Sequence, residues 1–388
     1  MKKNVGGIRD CYGCGVCAMA CGRKIIDIDL NENGFYEPHI TDENACTHCG
    51  ICTDVCAYLH DGLSITKADI RPYAAWSKDR LVRQKCSSGG VGFEIGRHLL
   101  NQGYKVCGVR YDAAKNRAEH YIASTVKELI PSIGSKYIQS YTVDAFHSIN
   151  RKEKYLVTGT PCQIDSFRRY IQKFHCEDNF VLLDFFCHGV PSYLLWGKYT
   201  KWAEQKVGKI VYATWRSKVT GWHDSYRIVN NGKKSCMSSK WSQGDMFYNL
   251  FLGDCCLGKA CYDACKFKYD RSSADIRIGD LWGKTYQNNE EGVSAVISFT
   301  KKGDEILHSS NCEFKDHTLD IVGEGQMKTA ATKTSAHPVI MRMLRDKDTS
   351  IVDCDIALKK HNRKQRNIRR LKHPLSTLKE IISRIQKK

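Results

Sequence analysis

Eight cysteines in the first 56 residues fall into two runs of identical spacing. Cys11, Cys14, Cys17 and Cys21 read C-x2-C-x2-C-x3-C, and Cys46, Cys49, Cys52 and Cys56 repeat it. A cubane cluster needs four thiolates converging from different directions. Two residues between ligands let one tight loop aim three sulfurs at a cluster, and the fourth cysteine, a turn further on, points to the other cluster. The pattern therefore predicts two [4Fe–4S] clusters. Cys11, Cys14, Cys17 and Cys56 hold one, and Cys46, Cys49, Cys52 and Cys21 hold the other. Gly13, Gly15 and Gly50 let the backbone fold closely about sulfur. Gly22 and Ala57 stand where a proline commonly follows the fourth cysteine.

Other uses of these cysteines fit less well. Zinc favours paired C-x2-C knuckles with a longer spacer between them. A disulfide framework is not expected, because the N-terminus MKKNVGGIRD has no apolar signal segment and the chain is long enough for an ordinary core. Twenty cysteines without such a signal point to a reducing cytoplasm. No stretch approaches the ~18 apolar residues of a membrane span.

A second constellation lies downstream. Cys162 and Cys187 each follow the carboxyl end of an expected strand, the edge where open α/β sheets bind ligands. Cys261 and Cys265 come just before DIRIGDLWG (275–283), with Cys255 and Cys256 beside them. Cys162, Cys187, Cys261 and Cys265 can supply a third [4Fe–4S] cluster, or they are buried thiols. Ser87-Ser88-Gly89-Gly90 precedes an expected helix, as a phosphate cradle or an ordinary N-cap. With Gly134-Ser135-Lys136 and Thr158-Gly159-Thr160 it would suit the pyrophosphate of a dinucleotide such as FAD. No G-x-G-x-x-G is present, so a standard NAD site is not expected. His188 can give a proton during hydride transfer, or bond a nearby carbonyl. Asp280 and Trp282 are read as a site wall or a capped turn.

The elements that must position these residues are legible in outline. Residues 1–66 form the cluster module, with a hairpin signal at Asn33-Gly34. Residues 67–350 alternate strands and helices: a helix after Gly90 ending at Gly103, strands at 104–109 and 155–157, a helix through Phe167 and Ile171, and the apolar strand FVLLDFF (180–186). The fold class is α/β: an α+β ferredoxin-like module followed by a mixed, mostly parallel α/β domain. Residues 351–388 form a basic tail, and the stretch from Ala357 to Lys388 carries a net charge of +11 out of the chain's +18. Leu375, Leu378, Ile381, Ile382 and Ile385 recur there at helical spacing. The tail is a solvated arm, a helix packed on the body, or a peripheral anchor to an anionic membrane or acidic partner. Nucleic-acid binding is not expected.

Seven segments also carry a family resemblance: CSSGG (86–90), GSKYIQS (134–140), TGTPCQI (158–164), CHGVPS (187–192), CYDACKF (261–267), DIRIGDLWG (275–283) and GVSAVISFTKKG (292–303). In this order they resemble the beta-subunit family of coenzyme F-420 hydrogenases and dehydrogenases. The resemblance implies a flavoprotein in which FAD joins iron–sulfur clusters to F-420 or another reducible substrate. Relatives with a fused ferredoxin occur among surface-polysaccharide biosynthesis proteins. The resemblance makes Ser88, Gly89, Gly90, Lys136, Thr158 and Gly159 flavin-site residues, and Cys162, Cys187, Cys261 and Cys265 cluster ligands. The last pair is spaced C-x3-C where C-x2-C is the family expectation. A redox partner protein or ferredoxin would exchange electrons with the N-terminal clusters. The alternative is a non-catalytic electron-transfer subunit docked on a partner enzyme.

Overall fold

The computed structural model describes residues 4–65, 70–224, 226–233 and 235–372. The expected module boundary at 66/67 and the amphipathic segment from Leu375 onward lie outside them.

The N-terminal module repeats one device twice. Gly15 (φ 73°) opens the short helix Val16–Ala20, and Gly50 (φ 78°) opens Ile51–Asp54. A left-handed residue there lets each cysteine run turn back on itself before the helix begins. Strands β1 (Ile26–Leu30) and β2 (Tyr36–Ile40) pair antiparallel, Leu30 opposite Tyr36, around the expected Asn33-Gly34 turn.

The main domain is built on a nine-stranded sheet. Its strands are β3 (Arg71–Ser77), β4 (Lys105–Asp112), β5 (Arg117–Ala123), β6 (Ser140–Tyr141), β7 (Tyr155–Thr158), β8 (Phe180–Phe185), β12 (Ile276–Asp280), β13 (Ser294–Ser298) and β14 (Cys312–Asp316). A separate three-stranded sheet comprises β9 (Tyr212–Thr214), β10 (Tyr226–Asn230) and β11 (Cys236–Lys240). The large sheet runs β14-β3-β13-β12-β8-β7-β4-β5-β6. The α/β expectation holds, with a refinement. Neighbours β12, β8, β7 and β4 are parallel, while β14, β3 and β13 on one flank and β5 on the other pair antiparallel with their inner neighbours.

The centre is apolar because both faces are covered. Phe180 and Leu182 point to the helix Pro161–Lys173, packing with Ile164, Phe167 and Ile171. Val181 and Leu183 point the other way, to Val91, Ile95 and Leu99 of the helix Val91–Asn101 and to Leu307. Each such side chain contributes about 1.5–3 kcal/mol by burial. Helix Pro161–Lys173 starts at a capping box, Thr160 with Gln163, and has proline at its first position. It also carries the cluster module, since Val16, Ala20 and Val55 pack on its outer side.

Polar contacts fix that docking. Gln139 accepts from the Tyr36 N–H at 3.1 Å and donates to the Tyr12 carbonyl at 3.1 Å. Thr142 donates to the Cys14 carbonyl at 3.1 Å. The C-terminal helix Ile351–Lys372 buries Ile351, Cys354, Asp355 and Leu358, so the basic segment begins packed on the body. Among the described residues no helix is long and apolar enough to cross a membrane.

Candidate iron–sulfur and flavin site

Cys11, Cys14, Cys17 and Cys56 line one small cavity together with Tyr12 and Tyr58. Three come from the first run and the fourth from the second. Burial first, and then the neighbouring thiols, push Cys56 up to about 12 and hold Cys17 well above the usual thiol range. Buried thiols facing one another stay protonated unless a cation takes the protons' place, so the donor set fits a metal core. Among the described residues no three His, Cys, Asp or Glu side chains crowd to a single-ion site. The Gly13 N–H donates to Cys11 Sγ at 3.3 Å.

The second set lies nearer solvent. Cys21, Cys46 and Cys52 share one apolar cluster, and Cys49 is exposed. Burial, and then Cys21 and Cys49 acting against a Val5 backbone hydrogen bond, raise the Cys52 thiol. Asn4 Nδ2 sits 3.6 Å from Cys46 Sγ. Cys52 also appears among the charges felt by Cys17 and Cys56, so the two sets are adjacent.

The structure brings the third group of thiols together as well. Cys162 opens the helix after β7, with its sulfur 3.2 Å from Thr160 Oγ1. Cys187 follows β8, and Cys261 and Cys265 lie on and just after the short helix Lys259–Asp263. Burial and then Cys187 raise the Cys261 thiol to about 12, with Cys265 adding to the effect. Cys162 is raised by burial, with Cys187, Cys261 and Cys14 contributing. Cys14 thus faces the third group from the first cavity. Tyr12 stands between the two, its hydroxyl donating to the Ala264 carbonyl at 2.5 Å and its ring 5.6 Å from Phe267.

The residues expected at a flavin site lie toward the carboxyl edge of the parallel strands, where β7 ends at Thr158, β8 at Phe185 and β12 at Asp280. Most of their polar groups are already engaged there. Ser88 Oγ donates to the Val293 carbonyl and the Gly89 N–H to Ser294 Oγ. A Cβ on Gly89 would stand 2.4 Å from the Ala75 carbonyl oxygen, so that glycine serves close backbone packing. Gly90 adopts φ 89° as the helix cap. Thr158 Oγ1 donates to the Cys107 carbonyl, and the Gly159 N–H to that of Leu183. Lys136 gives its protons to the carbonyls of Pro131, Ser132 and Ile133, each at 3.0 Å. Of the two readings of the 87–90 turn, phosphate cradle or N-cap, Gly90 caps the helix, and two of the turn's donors are used on the neighbouring strand.

A cation absent from the sequence reading stands at the same place. Lys218 donates to the carbonyls of Ser88 (2.7 Å), Glu291 (2.6 Å) and Arg83. Burial pulls Lys136 down to about 7 and Lys218 to about 8, with Cys86 opposing in both cases. Neither lysine forms an ion pair among the described residues. Each ammonium spends its three protons on backbone carbonyls, so the two lysines bring positive charge to this edge without a free donor. Ser87 adds its hydroxyl, which accepts from the Ser135 N–H at 2.9 Å. His188 is tied to Asp254, Nε2 to Oδ1 at 2.8 Å, with its ring edge-on to Phe251. Asp280 receives Arg216 and the Trp222 indole N–H, and Trp282 stacks on Trp222 at 5.1 Å.

Family comparison fits this geometry. A 4Fe-4S dicluster domain matches residues 10–59. The coenzyme F420 hydrogenase/dehydrogenase beta subunit matches in both its parts, the N-terminal over residues 72–146 and the C-terminal over 152–317. The chain belongs to the coenzyme F420 hydrogenase/dehydrogenase beta-subunit family. No curated protein shows a significant sequence match. A chain of the F420-reducing [NiFe] hydrogenase complex from Methanosarcina barkeri aligns over 79% of this chain and 94% of its own, at 16% identity and a TM-score of 0.43. The assignment to the beta-subunit family rests on the sequence matches. It makes the N-terminal module an iron–sulfur domain and the chain a relative of oxidoreductase subunits. Lys218 falls within the matched C-terminal part, and no local motif marks it: WRSKVTG (215–221) has neither the glycine spacing nor the helix start of a phosphate loop.

Proposed function

We propose that this beta-subunit relative is an iron–sulfur flavoprotein oxidoreductase that couples one-electron relay to hydride transfer with F-420 or another reducible small molecule. The observation that carries the reading is the succession of three thiol groups, from exposed Cys49 inward to the sheet edge. Cys46, Cys49, Cys52 and Cys21 hold the entry cluster and face a redox partner protein or ferredoxin. Cys11, Cys14, Cys17 and Cys56 hold the middle one, and Cys162, Cys187, Cys261 and Cys265 a third. Clusters carry one electron each, and FAD joins them to two-electron chemistry. Lys218 and Lys136 lend positive charge beside its phosphates, with Ser87 to Gly90 and the Thr158-Gly159 turn shaping the edge beside them. Asp254 orients His188 to hold a proton near the acceptor. The basic C-terminal helix fits a peripheral anchor on an anionic membrane face.

Anaerobic purification with iron, sulfide and flavin quantitation tests this reading. About twelve irons and one FAD per chain are expected. Iron near eight removes the third cluster. Full iron with no flavin, even after incubation with FAD, leaves an electron-transfer subunit that works through a partner enzyme.

Flavin retention should also depend on pH. Both lysines have folded-state pKa values below the ordinary lysine range, so each is charged below about 7 or 8 and neutral above. An anion binds the charged form. Retention is expected to be full near pH 6 and to weaken by up to about tenfold per pH unit for each lysine as pH rises to 9. A flat profile measured by equilibrium dialysis of FAD would remove the lysines from the phosphate site.

A further inference from the structure

We propose that Ser166 is the hydrogen-bond donor that sets the reduction potential of the middle cluster. This rests on the reading that Cys11, Cys14, Cys17 and Cys56 are that cluster's ligands.

Ser166 lies on helix Pro161–Lys173, one turn beyond Cys162. It is fully buried. Its Oγ stands 3.3 Å from Cys14 Sγ and accepts the Ala57 N–H at 3.0 Å. Ala57 follows Cys56, so one hydroxyl touches both cysteine runs at the same cavity. With Cys14 bound to iron, its sulfur carries no proton, and the contact has only one polarity left: Ser166 O–H donates and the thiolate accepts. The Ala57 N–H, occupying an Oγ lone pair, favours the same orientation.

The effect has a definite sign. An electron added to the cluster increases negative charge on the ligating sulfurs. A fixed donor beside one of them stabilises the reduced form more than the oxidised form, which raises the potential. The donor comes from the flavin-domain helix and not from the ferredoxin module. The same helix delivers Cys162 to the third thiol group. One rigid element thereby tunes one centre and holds a ligand of the next, so a ferredoxin module cut from its own domain would lose the tuning.

The test is potentiometric. Wild type, Ser166→Ala and Ser166→Thr are purified anaerobically, their iron is counted, and each is titrated against redox dyes with electron paramagnetic resonance as readout. In Ser166→Ala, iron is expected to be unchanged and one cluster signal to move to more negative potential while the others stay. Ser166→Thr, which keeps the hydroxyl, should return that signal toward the wild-type value. Full iron with unmoved potentials in Ser166→Ala overturns the proposal. If Ser166→Ala loses iron, Ser166→Cys decides, since it is close in size but a weaker donor: a smaller negative shift supports the proposal and an unmoved potential overturns it. Wild type lacking iron–sulfur signals would instead show that the ligand reading has failed, and the proposal with it.

Discussion

Replacing Cys56 with serine is expected to remove the middle cluster and leave the entry cluster in place, although Cys56 belongs to the same sequence run as Cys46, Cys49 and Cys52. The cavity lined by Cys11, Cys14 and Cys17 takes its fourth thiol from Cys56. Serine keeps the size but is a poor ligand for iron, and a buried hydroxyl would stand where the core needs a charged donor. About four irons per chain should be lost, and the remaining ferredoxin-module signal should belong to the more exposed centre. Cys21→Ser should do the converse and strip the solvent-side set. The two variants differ sharply in function. Without the middle cluster, a one-electron donor still reduces the entry cluster but no longer reaches the sheet edge. Iron counting with spectroscopy of the dithionite-reduced proteins separates the outcomes. If Cys56→Ser instead spared the middle signal and lost the exposed one, the crossed ligand assignment would be wrong.

That assignment was legible because it depends on local stereochemistry. Cysteine spacing and the glycines at 15 and 50 act within a few residues, and the sequence displays them openly. The centre of the sheet was legible for a related reason. Strands covered on both faces are apolar throughout, and Phe180 to Phe185 contrasts clearly with the helices around it.

The flanks were harder. Strand β5 carries Arg117, Glu119 and His120 within seven residues. Glu119 is held there by Arg110, Lys115 and Arg117, so tertiary ion pairing takes the place of an apolar face. No pattern of alternating hydrophobicity marks such a strand. The small sheet of β9 to β11 has strands of three to five residues, too short to show a period.

The partners of the residues at the expected flavin edge were hidden for a long-range reason. Ser88 and Gly89 meet Val293 and Ser294 across about two hundred residues of chain. A local motif cannot reveal that its donors are spent so far away. Lys218 reaches Ser88 across 130 residues and was equally hidden. Lys136 was singled out for its charge, while its three carbonyl partners come from the turn just before it. The four distant cysteines, by contrast, were anticipated as a group because sheet topology alone gathers chain segments at the carboxyl edge.

Removing the guanidinium of Arg277 should destabilise the main domain by about 3–5 kcal/mol. Arg277 and Asp184 are both fully buried and meet through two bonds of 2.7 Å each. Arg277 also donates to the carbonyls of Phe267 (3.1 Å), Tyr269 (2.7 Å) and Arg271 (3.1 Å). In Arg277→Met the packing volume is largely kept, but Asp184 becomes a buried charge whose remaining side-chain partner among the described residues is Ser272, and three carbonyls lose their donor. Lysine cannot restore the arrangement, because one ammonium cannot reach a carboxylate fork and three carbonyls at once. Chemical denaturation of the purified variants measures the loss, and a change under about 1 kcal/mol would show that the pair is dispensable. The consequence for the site follows from position. Residues 267–271 come directly after Cys261 and Cys265, and Asp184 lies three residues before Cys187. The pair therefore clamps two of the three segments that deliver the third thiol group. Under mild conditions Arg277→Met should drop from about twelve irons to about eight while both ferredoxin-module signals persist. Loss confined to those four irons would tie this ion pair to the geometry of the third centre, whereas uniform loss of all iron would mean that it supports only the fold.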